Sequence, residues 1–70
     1  MTERAKFNFR TRETANRDPL IVLEPLRGHL KILDGGFLSF DLPEGTTINQ
    51  AEEIAAYLNE KIEAISYTKP

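Results

Sequence analysis

Hydrophobic and polar residues follow a short-period pattern from residue 20 to residue 42, which is typical of β-strands. The apolar run Leu20–Leu23 is flanked by prolines, which confine a strand to a short or edge position. Farther along, Leu38, Phe40 and Leu42 fall on one face of an alternating segment. Glycines at 35 and 36 permit the tight turn of a hairpin. The predicted strands span about residues 20–24, 30–34 and 37–42.

Residues from about 47 to 65 follow the longer period of an amphipathic helix. Thr47 and Gln50 have the spacing of a capping box, in which each side chain accepts a hydrogen bond from the other residue's backbone N–H. Apolar residues then recur every three or four positions, at Ala51, Ala55, Leu58, Ile62 and Ile65. The sequence therefore predicts an α+β fold, a three-stranded antiparallel β-meander packed by one C-terminal amphipathic helix.

The first eighteen residues have a different character. Their only large apolar side chains are Met1, Phe7 and Phe9, and they hold five basic residues against three acidic ones. We therefore expect residues 1–18 to form a basic, mostly flexible arm, residues 19–67 a small domain and residues 68–70 a tail. A competing interpretation makes the arm an ordered extra strand whose phenylalanines pack onto the open face of the sheet.

One helix cannot cover both faces of a sheet, so an apolar face is expected to remain open. It would carry Phe37 and Leu33 and, depending on the register, Ile21 and Leu23 or their neighbours. Open apolar patches of this kind mark interfaces. The sequence thus predicts a non-catalytic protein–protein interaction module, either a homodimer or a small subunit of a larger assembly.

Composition narrows the possibilities in the same direction. The chain has 70 residues, no cysteine and a net charge of −2, so one small domain without a disulfide is expected. Small domains often gain burial from a disulfide, a metal or a partner chain, and here a partner chain is the simplest. No apolar run is long enough to span a membrane, and the N-terminus lacks the apolar core of a signal peptide. We therefore expect a cytoplasmic protein without membrane contact.

Residues with catalytic potential are few. His29 is the only histidine and lies in turn-forming sequence with no triad partner; Asp34 is near it in a hairpin sense, but turn formation alone explains that residue. The paired glycines Gly35 and Gly36 precede a predicted strand, whereas a phosphate-binding loop precedes a helix. We therefore expect no enzyme activity, no cofactor and no metal.

Nucleic-acid binding is the alternative function. The segment from Lys6 to Arg12 interleaves basic and aromatic residues, as stacking platforms for single strands do. The candidate contacts are Lys6, Phe7, Phe9, Arg10 and Arg12. The acidic remainder of the chain, with four basic residues against eight acidic ones, opposes phosphate binding outside this segment.

Overall fold

The computed structural model describes residues 1–70 as an α+β fold with a four-stranded antiparallel sheet and one helix. The strands are β1 (Thr2–Glu13), β2 (Pro19–Gly28), β3 (Leu38–Asp41) and β4 (Ile65–Thr68), and the helix is α1 (Ile48–Lys61). The strand order across the sheet is β3-β2-β1-β4. The predicted α+β class with a single amphipathic helix is confirmed, whereas the number of strands was underestimated by one.

The expectation of a flexible N-terminal arm is wrong, because residues 2–13 form β1, an inner strand of the sheet. A hairpin turn joins β1 to β2, and the Thr14 hydroxyl accepts hydrogen bonds from the backbone N–H groups of Asn16 and Asp18, both at 3.2 Å. β1 pairs with β2 over nearly its whole length. The boundary expected near residue 19 therefore falls inside one hairpin of a single sheet.

The core lies between one face of the sheet and α1. Alternate residues of β1 supply three of its side chains, Ala5, Phe7 and Phe9, all at most 6% exposed. The other buried residues are Ile21, Leu23, Leu30, Ala51 and Ala55. The helix packs mainly over β1 and β2. The phenylalanines of the expected arm thus lie under the helix, on the face opposite to the open one.

The second predicted strand and its hairpin are also corrected. Residues 31–33 form a short 3-10 helix, so about 30–34 is a compact turn between β2 and β3. β2 ends at Gly28, whose positive φ of 81° is favourable for glycine. A Cβ there would collide with a main-chain carbonyl of β1. Leu30 then turns into the core, and burial of that side chain replaces the expected strand pairing.

The beginning of the helix is as predicted, but its end is not. Thr47 caps the helix and forms the reciprocal capping box with Gln50, with distances of 3.1 and 2.9 Å. The helix stops at Lys61, and Ile65 begins β4 instead of extending the helical stripe. The apolar period continues across this break because Ile65 faces the same core as the helix.

The β4 side of β1 is only partly paired. β4 covers Thr2 to Ala5, which leaves the rest of that edge without a neighbouring strand. At Phe9 the Asn59 side chain takes the place of a strand, because its Oδ1 accepts from the backbone N–H at 2.8 Å and its Nδ2 donates to the carbonyl at 2.9 Å. A helix residue thereby satisfies both backbone groups of a buried strand residue.

Candidate functional site

The four residues expected at a protein interface lie in different environments. Ile21 and Leu23 are fully buried under the helix, and Leu33 packs against the core from the turn after β2. Only Phe37, which is 71% exposed, remains available to a partner. The prediction is wrong for Ile21 and Leu23 because β2 directs these two side chains toward the helix and not away from it. Their neighbours Leu20 and Val22 lie on the face away from the helix, which we call the open face.

Exposed apolar side chains gather instead along β3, at one edge of the sheet. Leu38 and Phe40 share the helix-side face with Leu23 and Ile21, their register partners on β2. They are nevertheless 39% and 43% exposed, because the helix lies mainly over β1 and β2. We call Phe37, Leu38 and Phe40, together with the unpaired backbone of β3, the β3 edge.

Phe40 links the β3 edge to the core. Its ring stacks on the ring of Phe9, with centroids 6.1 Å apart and an angle of 22° between the planes. Phe9 is buried, whereas Phe40 keeps much of its surface in contact with water. The core therefore continues to an open boundary at β3, where a further apolar surface could add to it.

The candidate nucleic-acid residues divide between the two faces of the sheet. Phe7 and Phe9 are buried beneath the helix and cannot stack on bases, so their assignment is corrected. Strand alternation places Lys6, Arg10 and Arg12 on the open face. The sequence did place the aromatic and basic groups on opposite sides of an extended segment, and the helix covers the aromatic side.

Two further arginines join these cations on the open face. Arg4 lies on the same face of β1 as Lys6, Arg10 and Arg12. Its Nε donates a hydrogen bond to the Ser66 hydroxyl at 3.2 Å. Arg27 lies opposite Lys6, because a bulge at Leu26 shifts the facing of β2 by one residue. The open face thus carries the cations Arg4, Lys6, Arg10, Arg12 and Arg27.

Glu24 is the main counter-charge within this group. Its carboxylate accepts hydrogen bonds from Asn8 and Arg10, both at 3.2 Å, and lies 4.0 Å from the Arg12 guanidinium. The hydrogen bond from Asn8, followed by the hydrogen bond and charge of Arg10 and the charge of Arg12, lowers the pKa of Glu24 despite an opposing effect of desolvation. The carboxylate therefore stays ionised and holds Arg10 in place.

His29 is exposed in the turn after β2. Its Nε2 lies 2.7 Å from the Asp34 carboxylate, and both side chains are more than half exposed. No group of three or more histidine, cysteine or acidic residues is arranged to hold a metal ion. The longest helix, α1, has 14 residues and is too short to span a membrane.

Sequence reasoning missed the exposure of Leu38 and Phe40, and it also missed two of the cations. Arg4 has the same alternation as Lys6, Arg10 and Arg12, so the sequence did contain a signal for it. Arg27 could not be found from alternation along β2, because the bulge at Leu26 moves its side chain to the open face. Comparison with protein-family models, curated proteins and solved structures found no match to the chain.

Proposed function

We propose that the chain is a non-catalytic protein–protein interaction module that assembles with a second copy through the β3 edge. The observation that carries this proposal is the exposure of all four β3 residues at an unpaired edge of the sheet. Strand edges pair readily with other chains unless lysine, proline or a bulge protects them. β3, with the sequence Leu-Ser-Phe-Asp, is short and ends in the charged Asp41, but it contains no lysine, proline or bulge.

The opposite edge of the sheet is better protected. β4 is equally short, but the protecting residues Lys69 and Pro70 follow it directly. The free part of the β1 edge is occupied at Phe9 by Asn59. Among the edges of the sheet, β3 is therefore the best template for another chain.

The pairing of two β3 strands has a restricted register. Directly opposed residues of an antiparallel pair lie on the same face, so helix-side residues must oppose helix-side residues. A two-fold axis at Phe40 places this ring against its own copy, Leu38 against Leu42 of the second chain, and Ser39 against Asp41. An axis at Ser39 would instead place Asp41 against Phe37. The first register avoids a carboxylate opposite an aromatic ring and is the one we favour.

The area of the β3 edge sets the expected strength of the assembly. A stable interface buries about 800 Å² per partner, and the four residues of β3, two of them apolar, provide less even together with Phe37. We therefore expect a dimer that dissociates in the micromolar range, and the same edge could be completed by a larger partner. The proposal includes a cytoplasmic location, which fractionation of cells producing the tagged chain tests.

Light scattering over about 5–500 μM tests this assembly. The wild-type protein is expected to approach twice its chain mass of 8.0 kDa as the concentration rises. Leu38→Lys places a charge on the edge and is expected to remain a monomer throughout. Ile32→Lys makes the same chemical change at an exposed site in the turn after β2 and should still dimerise. A wild-type monomer at the highest concentration, or equal effects of both variants, would overturn the proposal.

A further inference from the structure

The open face concentrates positive charge on a protein that is acidic overall. Residues 4, 6, 8, 10 and 12 of β1 point to this face, and all but Asn8 are cationic. Strand geometry spreads this row over about 27 Å from Arg4 to Arg12. We propose that the open face binds single-stranded nucleic acid through its phosphates. This site is separate from the β3 edge and does not depend on the proposed assembly.

The balance of charge differs between the two sides of the molecule. The open face has five cations, while its carboxylates are Glu24 and Asp41, with Glu63 close to Lys6 at its margin. Acidic residues of α1 such as Glu52, Glu53 and Glu60 are exposed on the other side of the sheet. The net charge of −2 therefore averages two surfaces of opposite sign, and an anionic ligand would meet the positive one.

The cations are available for exchange with phosphate groups. The Arg10–Glu24 and Lys6–Glu63 pairs have separations of 3.2 and 3.7 Å, and all four side chains keep at least a third of their surface exposed. Exposed ion pairs of this kind contribute little to stability. A phosphate could replace Glu24 beside Arg10 without breaking a buried contact.

The composition and layout of the site favour nucleic acid over an acidic peptide. Four of the five cations are arginines, whose planar groups bind phosphate with two parallel hydrogen bonds and also stack on bases. Their regular spacing along one strand suits an extended polymer with a charge on every unit. Other small modules also bind single strands on the face of a four-stranded sheet, there by stacking bases on aromatic residues, a role that arginine planes would take here.

Fluorescence anisotropy with a labelled 20-nucleotide oligothymidylate tests the proposal, and the labelled oligouridylate separates RNA from DNA preference. If four phosphates are contacted, affinity is expected to fall about 50-fold between 50 and 200 mM salt, because the log–log slope is about −0.7 per contact. The double variant Arg10→Gln/Arg12→Gln should bind about tenfold more weakly and reduce the slope by about 1.4. Lys61→Gln removes one exposed cation from the helix and should have no such effect.

Glu24→Gln is expected to strengthen oligonucleotide binding, whereas Arg10→Gln/Arg12→Gln weakens it. It removes the carboxylate that competes with phosphate for Arg10 and Arg12 and keeps a group able to accept the hydrogen bond from Asn8. Binding should tighten several-fold even though loss of the carboxylate lowers the melting temperature slightly at neutral pH. Such a gain cannot arise from misfolding, so it separates a direct contact from a structural effect.

Three results would overturn the proposal. These are no oligonucleotide binding by the wild type at 50 mM salt, an equal loss in Lys61→Gln, and binding of an oligoglutamate of the same charge at least as tightly as the oligonucleotide. The last result would assign the open face to acidic peptides. Preference for a duplex of the same length would also contradict a site built for single strands.

Discussion

The contact between Asn59 and the backbone of Phe9 should make this exposed helix residue important for stability. Its amide closes two hydrogen bonds to β1 at a point where no strand is available. Asn59→Ala would leave both the N–H and the carbonyl of a buried residue without a protein partner. We therefore expect a cost well above that of an ordinary surface substitution.

The magnitude follows from the two lost bonds. Each backbone hydrogen bond contributes about 1 kcal/mol net, and an unsatisfied buried group costs about 1–3 kcal/mol. Water can reach Asn59 from its exposed side, so the lower end of the range applies, about 2 kcal/mol in total. Alanine also favours the helix by about 0.5 kcal/mol relative to asparagine. The proper reference is therefore a second asparagine of α1 replaced in the same way.

Asn49→Ala supplies that reference, because Asn49 is exposed near the start of the same helix. Urea unfolding followed by circular dichroism at 222 nm measures both variants. With a slope of about 1 kcal/mol per molar for a domain of this size, the midpoint of Asn59→Ala should lie about 2 M below that of Asn49→Ala. A difference under about 0.5 M would refute the role assigned to the Asn59 amide.

Asn59→Asp examines the same contact in another way. At neutral pH the carboxylate can still accept from the Phe9 N–H but repels the Phe9 carbonyl, so the loss should be at least that of the alanine variant. Below about pH 4 the protonated carboxyl can donate to that carbonyl. The deficit relative to wild type should then shrink, and a constant deficit would contradict the proposed geometry.

Other predictions follow from burial, backbone conformation, capping and charge. Phe9→Ala should destabilise by about 3–5 kcal/mol, whereas Phe37→Ala, at an exposed position, should change thermal stability by less than about 0.5 kcal/mol. Gly28→Ala should be among the most damaging single changes, because both the positive φ and the nearby carbonyl of β1 oppose a Cβ; melting of the purified variant measures this. Thr47→Ala should lower the unfolding free energy by about 1 kcal/mol through the lost cap, again measured in urea. Because the asparagine hydrogen bond and the two guanidinium groups lower the pKa of Glu24, its ionised form stabilises the fold above the unfolded-state pKa. That stabilisation is lost as the pH falls through the lowered folded-state pKa, so the gap in melting temperature between wild type and Glu24→Gln should close in acid, below the usual pKa range of a glutamate.

The sequence predicted features that depend on neighbouring residues. It did not predict features that depend on pairing between strands far apart in the chain. The capping box at Thr47 and Gln50 depends on residues three positions apart and was predicted correctly. β1 was expected only as the competing interpretation of the arm, with its phenylalanines on the wrong face, because its open face is polar and it has only Ala5, Phe7 and Phe9 to bury. Its order depends on pairing with β2 and on cover from the helix, neither of which a local pattern reveals.

The same limit applies to the candidate interaction surfaces. The assignment of Ile21 and Leu23 to an interface failed because side chains alternate along a strand. A shift of one residue in register moves every side chain to the other face of the sheet. The exposure of Phe40 depends on where the helix crosses the sheet, which the helix's own periodicity does not determine. Phe37, in contrast, is exposed, as the sequence predicted from its place on the sheet face that one helix cannot cover.

The two proposed surfaces are compatible with one another. Pairing of β3 strands about a two-fold axis perpendicular to the sheet would leave both open faces on the same side of the assembly. The helices would lie together on the other side. A dimer would thus present two basic surfaces in one direction, and bivalent binding of a longer strand would exceed the affinity of one chain.

Oxidative trapping of single-cysteine variants tests the pairing of β3 most directly, because the natural chain contains no cysteine. Directly opposed residues of an antiparallel pair have Cβ atoms about 4.5–5.5 Å apart, close enough for a disulfide after a small adjustment. Phe40→Cys is expected to form a covalent dimer, whereas Ser66→Cys on the opposite edge should stay monomeric. Trapping of Ser39→Cys in place of Phe40→Cys would retain the pairing but contradict the register. Equal trapping at Ser66, or none in β3, would contradict assembly through this edge.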